Sequence, residues 1–250
     1  MSESTRWYLP DGSLAPERVP KKDGKGDRPY DLRDARKDSA VGSVSSILDC
    51  AANEGIVRYR VNQAVLAALT HPRRGEYEKG ELNDKAFLAL VDEDANAHRN
   101  AAADLGKAVH RVCQTGEFAG GPEDAIARPM LEFARNFAAE GEYGEAVHER
   151  AFVNASLGYA GTPDLLWPEA VADYKTGGSE KPVFYDRWPR QLAAYSMGAL
   201  GKIVPGVIIW GSTLNPGTIG HKVYSIEEMK RGYEEFDCLR RFFLVSKGLV

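Results

Sequence analysis

Residues 158–195 constrain this chain more than any other stretch. Within them, the segment DLLWPEAVADYK (residues 164–175) places two short apolar runs on either side of Trp167-Pro168-Glu169-Ala170, a turn signal. Two adjacent strands joined by a tight turn are therefore predicted. Side chains alternate across a strand, so Asp173 and Lys175 share one face while Tyr174 points to the other. Asp164 is then available from the neighbouring strand. Two carboxylates converging on one point repel each other unless a cation lies between them, and hard oxygen donors favour Mg²⁺ or Mn²⁺. A lysine beside such an ion can orient an attacking water and offset charge on a phosphate, a layout suited to phosphodiester hydrolysis.

The bland alternative is an ordinary cross-strand ion pair. D-x-K and E-x-K also occur at Asp23-Gly24-Lys25 and Glu228-Met229-Lys230. The first lies in a polar, Gly/Lys-rich stretch and the second in a helical pattern, where residues two apart face different directions. Only the pair Asp173 and Lys175 follows an apolar strand with a second aspartate upstream. Together with this context, Gly161-Thr162-Pro163-Asp164, the run Asp173-Tyr174-Lys175-Thr176-Gly177 and the later Gln191-x-x-x-Tyr195 resemble motifs of the PD-(D/E)xK nuclease superfamily, in particular its RecB-like and phage exonuclease branch. In that branch a histidine in a G-x-x-x-H setting completes the metal site, and Gly106 to His110 matches it.

The resemblance covers roughly residues 40–210 and implies a restriction-endonuclease-like core. It also implies a metal site of His110, Asp164, Asp173 and the main-chain carbonyl of Tyr174, with Lys175 as the catalytic lysine and Asp164 and Asp173 sharing that role. The expected cofactor is Mg²⁺ or Mn²⁺; imidazole is not magnesium's preferred donor, so Mn²⁺ is expected to support activity as well or better. Gln191 and Tyr195, four apart on a helix, share a face and are expected to contact DNA, as are Arg187 and Arg190. Arg73 and Arg74 are further cationic candidates. The implied activity is that of a DNA exonuclease in phage or bacterial replication, recombination or repair. DNA ends are the expected partner, alongside phage recombination or replication proteins. A structure-selective endonuclease of the same fold, a DNA-binding module without turnover, and a hydrolase of a small phosphorylated molecule are the alternatives.

Composition bears on these readings only in part. A net charge of −4 does not advertise a nucleic-acid binder and leaves the phosphates to metal ions and local basic residues. The three cysteines, Cys50, Cys113 and Cys238, are widely spaced, so neither a zinc site, a disulfide framework nor an iron–sulfur cluster is expected. No apolar run is long enough for a membrane span and the first residues lack a signal peptide's apolar core, so no membrane partner and a cytoplasmic location are expected.

Residues 1–38 are polar and proline-punctuated and read as a loosely ordered arm; residues 39–250 read as a single nuclease domain. Ser43 is predicted to cap a helix. A short helix over 61–69 ends before Pro72, leaving His71 on the surface. A long alanine-rich helix over about 85–114 carries His110, and another follows over 122–144. Two strands around residues 154–158 lead into the motif stretch. Glu149, on the first of them, is left off the ligand list because strand glutamates are usually exposed. Two further strands and a closing helix complete an α/β fold: a mixed central sheet of about four to six strands flanked by helices, with an N-terminal helical wall.

Overall fold

The computed structural model describes residues 5–51 and 54–249, leaving aside the side chains of residues 54–56, 98 and 99. It is a mixed α/β structure. The chain forms two compact units, one made of Met1–Ala51 with His110–Val250 and the other of Ala52–Val109.

The larger unit contains a five-stranded mixed sheet in the order Ile219–Tyr224, Gly206–Ser212, Ala170–Gly177, Leu165–Trp167 and Val147–His148. Gly206–Ser212 and Ala170–Gly177 run parallel, and the other neighbours are antiparallel. A parallel pair needs a long crossover, and helix Arg187–Leu200 supplies it. Every residue of Gly206–Ser212 is buried, as a strand covered on both faces must be, which is why Val207-Ile208-Ile209-Trp210 is continuously apolar rather than alternating. The covering helices are identified by what a side chain at its glycines would strike. A Cβ at Gly206 would meet Met229 and Leu192 from helices Ile226–Lys247 and Arg187–Leu200; one at Gly211 would meet Met130 and Ile126 from helix Pro122–Glu140.

The predicted hairpin forms with its turn at Pro168-Glu169, Trp167 standing opposite Ala170. The predicted strands on either side of residues 154–158 also pair, Phe152–Asn154 antiparallel to Tyr159–Gly161, but they belong to a second sheet. Its order is Trp7–Tyr8, Val41–Ser43, Tyr159–Gly161, Phe152–Asn154. The single central sheet of the sequence reading is thus two sheets plus a small ribbon of Arg18–Pro20 and Asp27–Pro29.

The arm is where sequence and structure part most. Residues 5–38 carry strands and the capped helix Leu32–Lys37, and Trp7, Tyr8, Tyr30 and Ala35 are buried. The physical reason is local: a few aromatic residues supply the burial that the average polarity of the segment conceals. Trp7 packs on Phe243 of the closing helix with ring centroids 6.0 Å apart. Ser43 caps helix Val44–Leu48 as expected, its Oγ accepting the N–H of Ser46 at 3.0 Å.

In the smaller unit, helix Glu54–Thr70 is longer than the predicted 61–69 but ends at the expected place before Pro72. His71 is not a surface residue. It is 8 % exposed, packs edge-on against Phe87, and lies 3.5 Å from an oxygen of Asp94. Helix Asp84–Thr115 begins in this unit and ends in the larger one. Among the described residues no helix is long and apolar enough to cross a membrane.

If residues 5–15 belong to the folded core, Trp7→Ala removes a buried aromatic side chain and costs about 3–5 kcal/mol. At roughly 2–4 °C per kcal/mol for a chain of this size, thermal denaturation should show Tm falling by about 6–20 °C; an unchanged Tm would restore the loose-arm reading.

Candidate metal centre

The hairpin register builds the site. Leu165 stands opposite Ala172, which leaves Asp164 at the end of its strand beside the continuing strand of Tyr174. The main-chain N–H of Tyr174 donates to Asp164 Oδ2 at 2.6 Å. In an extended strand a residue's N–H and C=O point the same way, so the Tyr174 carbonyl is directed to the edge where Asp164 sits. Asp164 Oδ1 faces His110 Nδ1 at 3.3 Å, the imidazole coming from the last turns of helix Asp84–Thr115.

Glu149 completes this group, contrary to the sequence reading that left it exposed. It follows strand Val147–His148, whose antiparallel pairing with Leu165–Trp167 brings it to Asp164, and its N–H donates to the Asp164 carbonyl at 3.2 Å. Its backbone lies in the left-handed region at φ 47°, which costs a non-glycine residue roughly 1–3 kcal/mol. One ligand atom from each of His110, Glu149 and Asp164 lies within 4.8 Å of the others. An acid directly after a strand that pairs with the strand of Asp164 was the available sequence signal.

Asp173 and Lys175 share a face, as predicted, and form an ion pair between Lys175 Nζ and Asp173 Oδ2. Asp173 stands outside the closest trio but lines the same cleft. Its side chain is 3 % exposed against 23 % for Lys175. Apart from that ion pair, no hydrogen-bond partner among the described residues reaches Asp173 Oδ2.

Gln191 and Tyr195 also line the cleft, Gln191 Nε2 donating to Tyr195 Oη at 2.9 Å. Tyr195 is 5 % exposed, so its phenol is chiefly a wall. Its ring lies so near Gly161 that a Cβ there would come within 2.7 Å, which accounts for the glycine of the Gly161-Thr162-Pro163-Asp164 turn. Arg187 and Arg190 are not among the residues lining the cleft. They pair instead with Asp49 at 3.0 Å and Glu235 at 2.5 Å. Arg73 and Arg74 are engaged with Glu76 and Glu78.

The electrostatics fit a cation. Burial, followed by the charge of Asp164, pushes the Glu149 carboxyl up to about 7. Burial also pushes Asp173 up to about 6, against the opposing pull of the Lys175 ammonium. For His110 burial disfavours the charged ring, but the hydrogen bond and charge of Asp164 prevail and its pKa is raised. Asp164 is itself buried, yet contact with His110 holds its pKa below the ordinary value. Burial and mutual repulsion disfavour the ionised forms of Glu149 and Asp173, and a divalent ion among the acids would relieve that repulsion. Two carboxylate oxygens and one imidazole nitrogen suit Mg²⁺ and, with nitrogen in the set, Mn²⁺.

No family model and no curated protein matches this chain. A solved structure titled "Crystal structure of SSO0001" is similar over 45 % of this chain and 59 % of its own length, with 17 % identity and a TM-score of 0.26. The chain therefore spans less than two thirds of that structure, and a likeness of this degree carries no argument.

The raised groups fix a pH dependence. A carboxyl favoured in its protonated form by folding contributes stability that is complete below its ordinary pKa and lost as pH rises through the folded value, about 7 for Glu149 and about 6 for Asp173. The raised His110 pKa acts in the same direction, while the lowered Asp164 matters only at more acidic pH. In EDTA the protein should therefore lose thermal stability between pH 5.5 and 8, Glu149→Gln should flatten that slope, and Mn²⁺ should raise Tm more at pH 8 than at pH 5.5. A metal-free Tm that rises over this range contradicts the assignment.

Proposed function

We propose that this protein is a metal-dependent nuclease that hydrolyses phosphodiester bonds in DNA, acting as an exonuclease on a restriction-endonuclease-like core. The observation that carries the reading is the convergence of His110, Glu149 and Asp164 within 4.8 Å, in a cleft also lined by Asp173 and Lys175. The motif resemblance supports nucleic acid as the substrate and suggests phage or bacterial DNA replication, recombination or repair as the setting.

His110, Glu149 and Asp164 would hold the ion, with Asp173 and the Tyr174 carbonyl as further donors. A bound Mg²⁺ or Mn²⁺ supplies Lewis-acid polarisation of the phosphodiester and lowers the pKa of water. The chain's own groups do the rest. Tyr174 N–H fixes the orientation of the Asp164 carboxylate through its 2.6 Å hydrogen bond. Asp173, nearly buried, holds the Lys175 ammonium at the mouth of the site, where its charge offsets the negative charge that develops on the phosphate. Gln191, oriented by its bond to Tyr195, presents the remaining amide functions to the strand. None of these groups is arranged for base-edge readout, in keeping with chemistry on the backbone.

A hydrolase of a small phosphorylated molecule is the second reading, favoured by a cleft of only about 410 Å³. Competition between an oligonucleotide and a mononucleotide separates the two.

Digestion of linear DNA with Mg²⁺ or Mn²⁺ tests the proposal. Lys175→Ala should reduce the rate by about 10²–10³, the usual cost of losing one electrostatic stabiliser. Undiminished cleavage by Lys175→Ala would falsify the assignment, and closed circles cut as fast as linear DNA make it an endonuclease.

A further inference from the structure

We propose that this cleft accepts a single-stranded nucleic-acid end and excludes a paired one, and that Arg6 holds a backbone phosphate of the entering strand. The inference rests on the nuclease reading and adds the form of the substrate and a residue that selects it.

The first observation is depth. Asp164 and Asp173 are only 7 % and 3 % exposed, and the cleft above them encloses about 410 Å³. Pockets that hold one small molecule span about 300–1,000 Å³. A paired end brings two stiffly stacked strands to a cavity sized for one small molecule and does not readily turn one phosphodiester into it without unpairing. A single strand can, because its backbone torsions are free to turn one phosphodiester inward.

The second is the wall on one side of the cleft. Arg6, Tyr8 and Leu14 line it from the N-terminal segment. This wall is fixed on three sides: Trp7–Tyr8 pairs antiparallel with Val41–Ser43, Trp7 packs on Phe243, and Tyr8 Oη is hydrogen-bonded to Thr162 Oγ1 at 2.9 Å, two residues before Asp164.

The third is charge. Three acids face the cleft, Glu149, Asp164 and Asp173, while two of its cations are committed, Lys175 to Asp173 and His110 to Asp164. Arg6 also lines the cleft; it is exposed, and no carboxylate among the described residues pairs with its guanidinium. Its main-chain N–H is anchored to Ser46 Oγ at 2.9 Å, which fixes the backbone and leaves the side chain available. A guanidinium fork is matched to phosphate geometry and needs no deprotonation to bind it.

The test compares four substrates of one sequence with Mn²⁺: a linear single strand, a blunt duplex, a duplex with single-stranded tails, and a single-stranded circle. The linear single strand should be cut about tenfold or more faster than the blunt duplex, with the tailed duplex degraded only through its tails and the circle resistant. Arg6→Ala should raise KM for the single strand about tenfold with kcat within about twofold, and should lower the slope of log affinity against log salt by about 0.7, the value for one single-strand phosphate. Arg6→Lys should recover part of the loss, a result that a purely structural role for Arg6 does not produce. Blunt duplex cut as fast as single strand, or circles cut as fast as linear strands, overturns the threading inference and leaves the nuclease reading standing. A KM and salt slope unchanged in Arg6→Ala overturns the role of Arg6. No cleavage of any of the four substrates overturns the nuclease reading, and this inference falls with it.

Discussion

The Asp164 carboxylate is the constraint on which the rest of this site depends. One oxygen accepts the Tyr174 main-chain N–H at 2.6 Å and the other faces His110 Nδ1 at 3.3 Å, so a single buried side chain ties the hairpin to the end of a long helix. Its main-chain carbonyl accepts the N–H of Glu149, tying in the edge strand as well. An acid buried to this degree is costly unless it is paired and hydrogen-bonded. Here those partners also come from the elements that carry the other candidate ligands. Stability and site geometry are thus the same set of contacts.

The surrounding fold explains how such a polar cluster is tolerated. Gly206–Ser212, central in the sheet and parallel to Ala170–Gly177, is covered on both faces by helices, and burial of Leu192, Ile208, Ile209 and Met229 anchors the sheet. Polar groups are concentrated at the ends of strands, where the ladder stops and main-chain donors become free for side chains. Tyr174 N–H is one such donor. The left-handed backbone of Glu149 is a local cost of a few kcal/mol at most, borne where the edge strand Val147–His148 ends and its acid turns toward the cluster.

Much of this was legible in the sequence, and for physical reasons. The hairpin announced itself through Pro168 between two apolar runs, the shared face of Asp173 and Lys175 through strand alternation, and the helix carrying His110 through its apolar spacing. Four features were not legible. The exposure rule for strand glutamates does not reach Glu149, which lies just past the end of strand Val147–His148 with its N–H on the carbonyl of a buried acid, Asp164. Polar composition concealed Trp7 and Tyr8, since two buried aromatic residues suffice to fix a segment that otherwise reads as an arm. Arg187 and Arg190 looked available because their partners, Asp49 and Glu235, lie 138 and 45 residues away along the chain. His71 failed likewise, its partners Phe87 and Asp94 being brought to it only by the folding of the helical unit.

The central claim is that one imidazole and two carboxylates enclose a divalent ion. Anomalous diffraction from crystals soaked in Mn²⁺ tests it most directly. The account predicts a manganese peak bonded to His110, Glu149 and Asp164, lost in crystals of Asp164→Asn. A peak elsewhere, or one at this site that persists in Asp164→Asn, contradicts it.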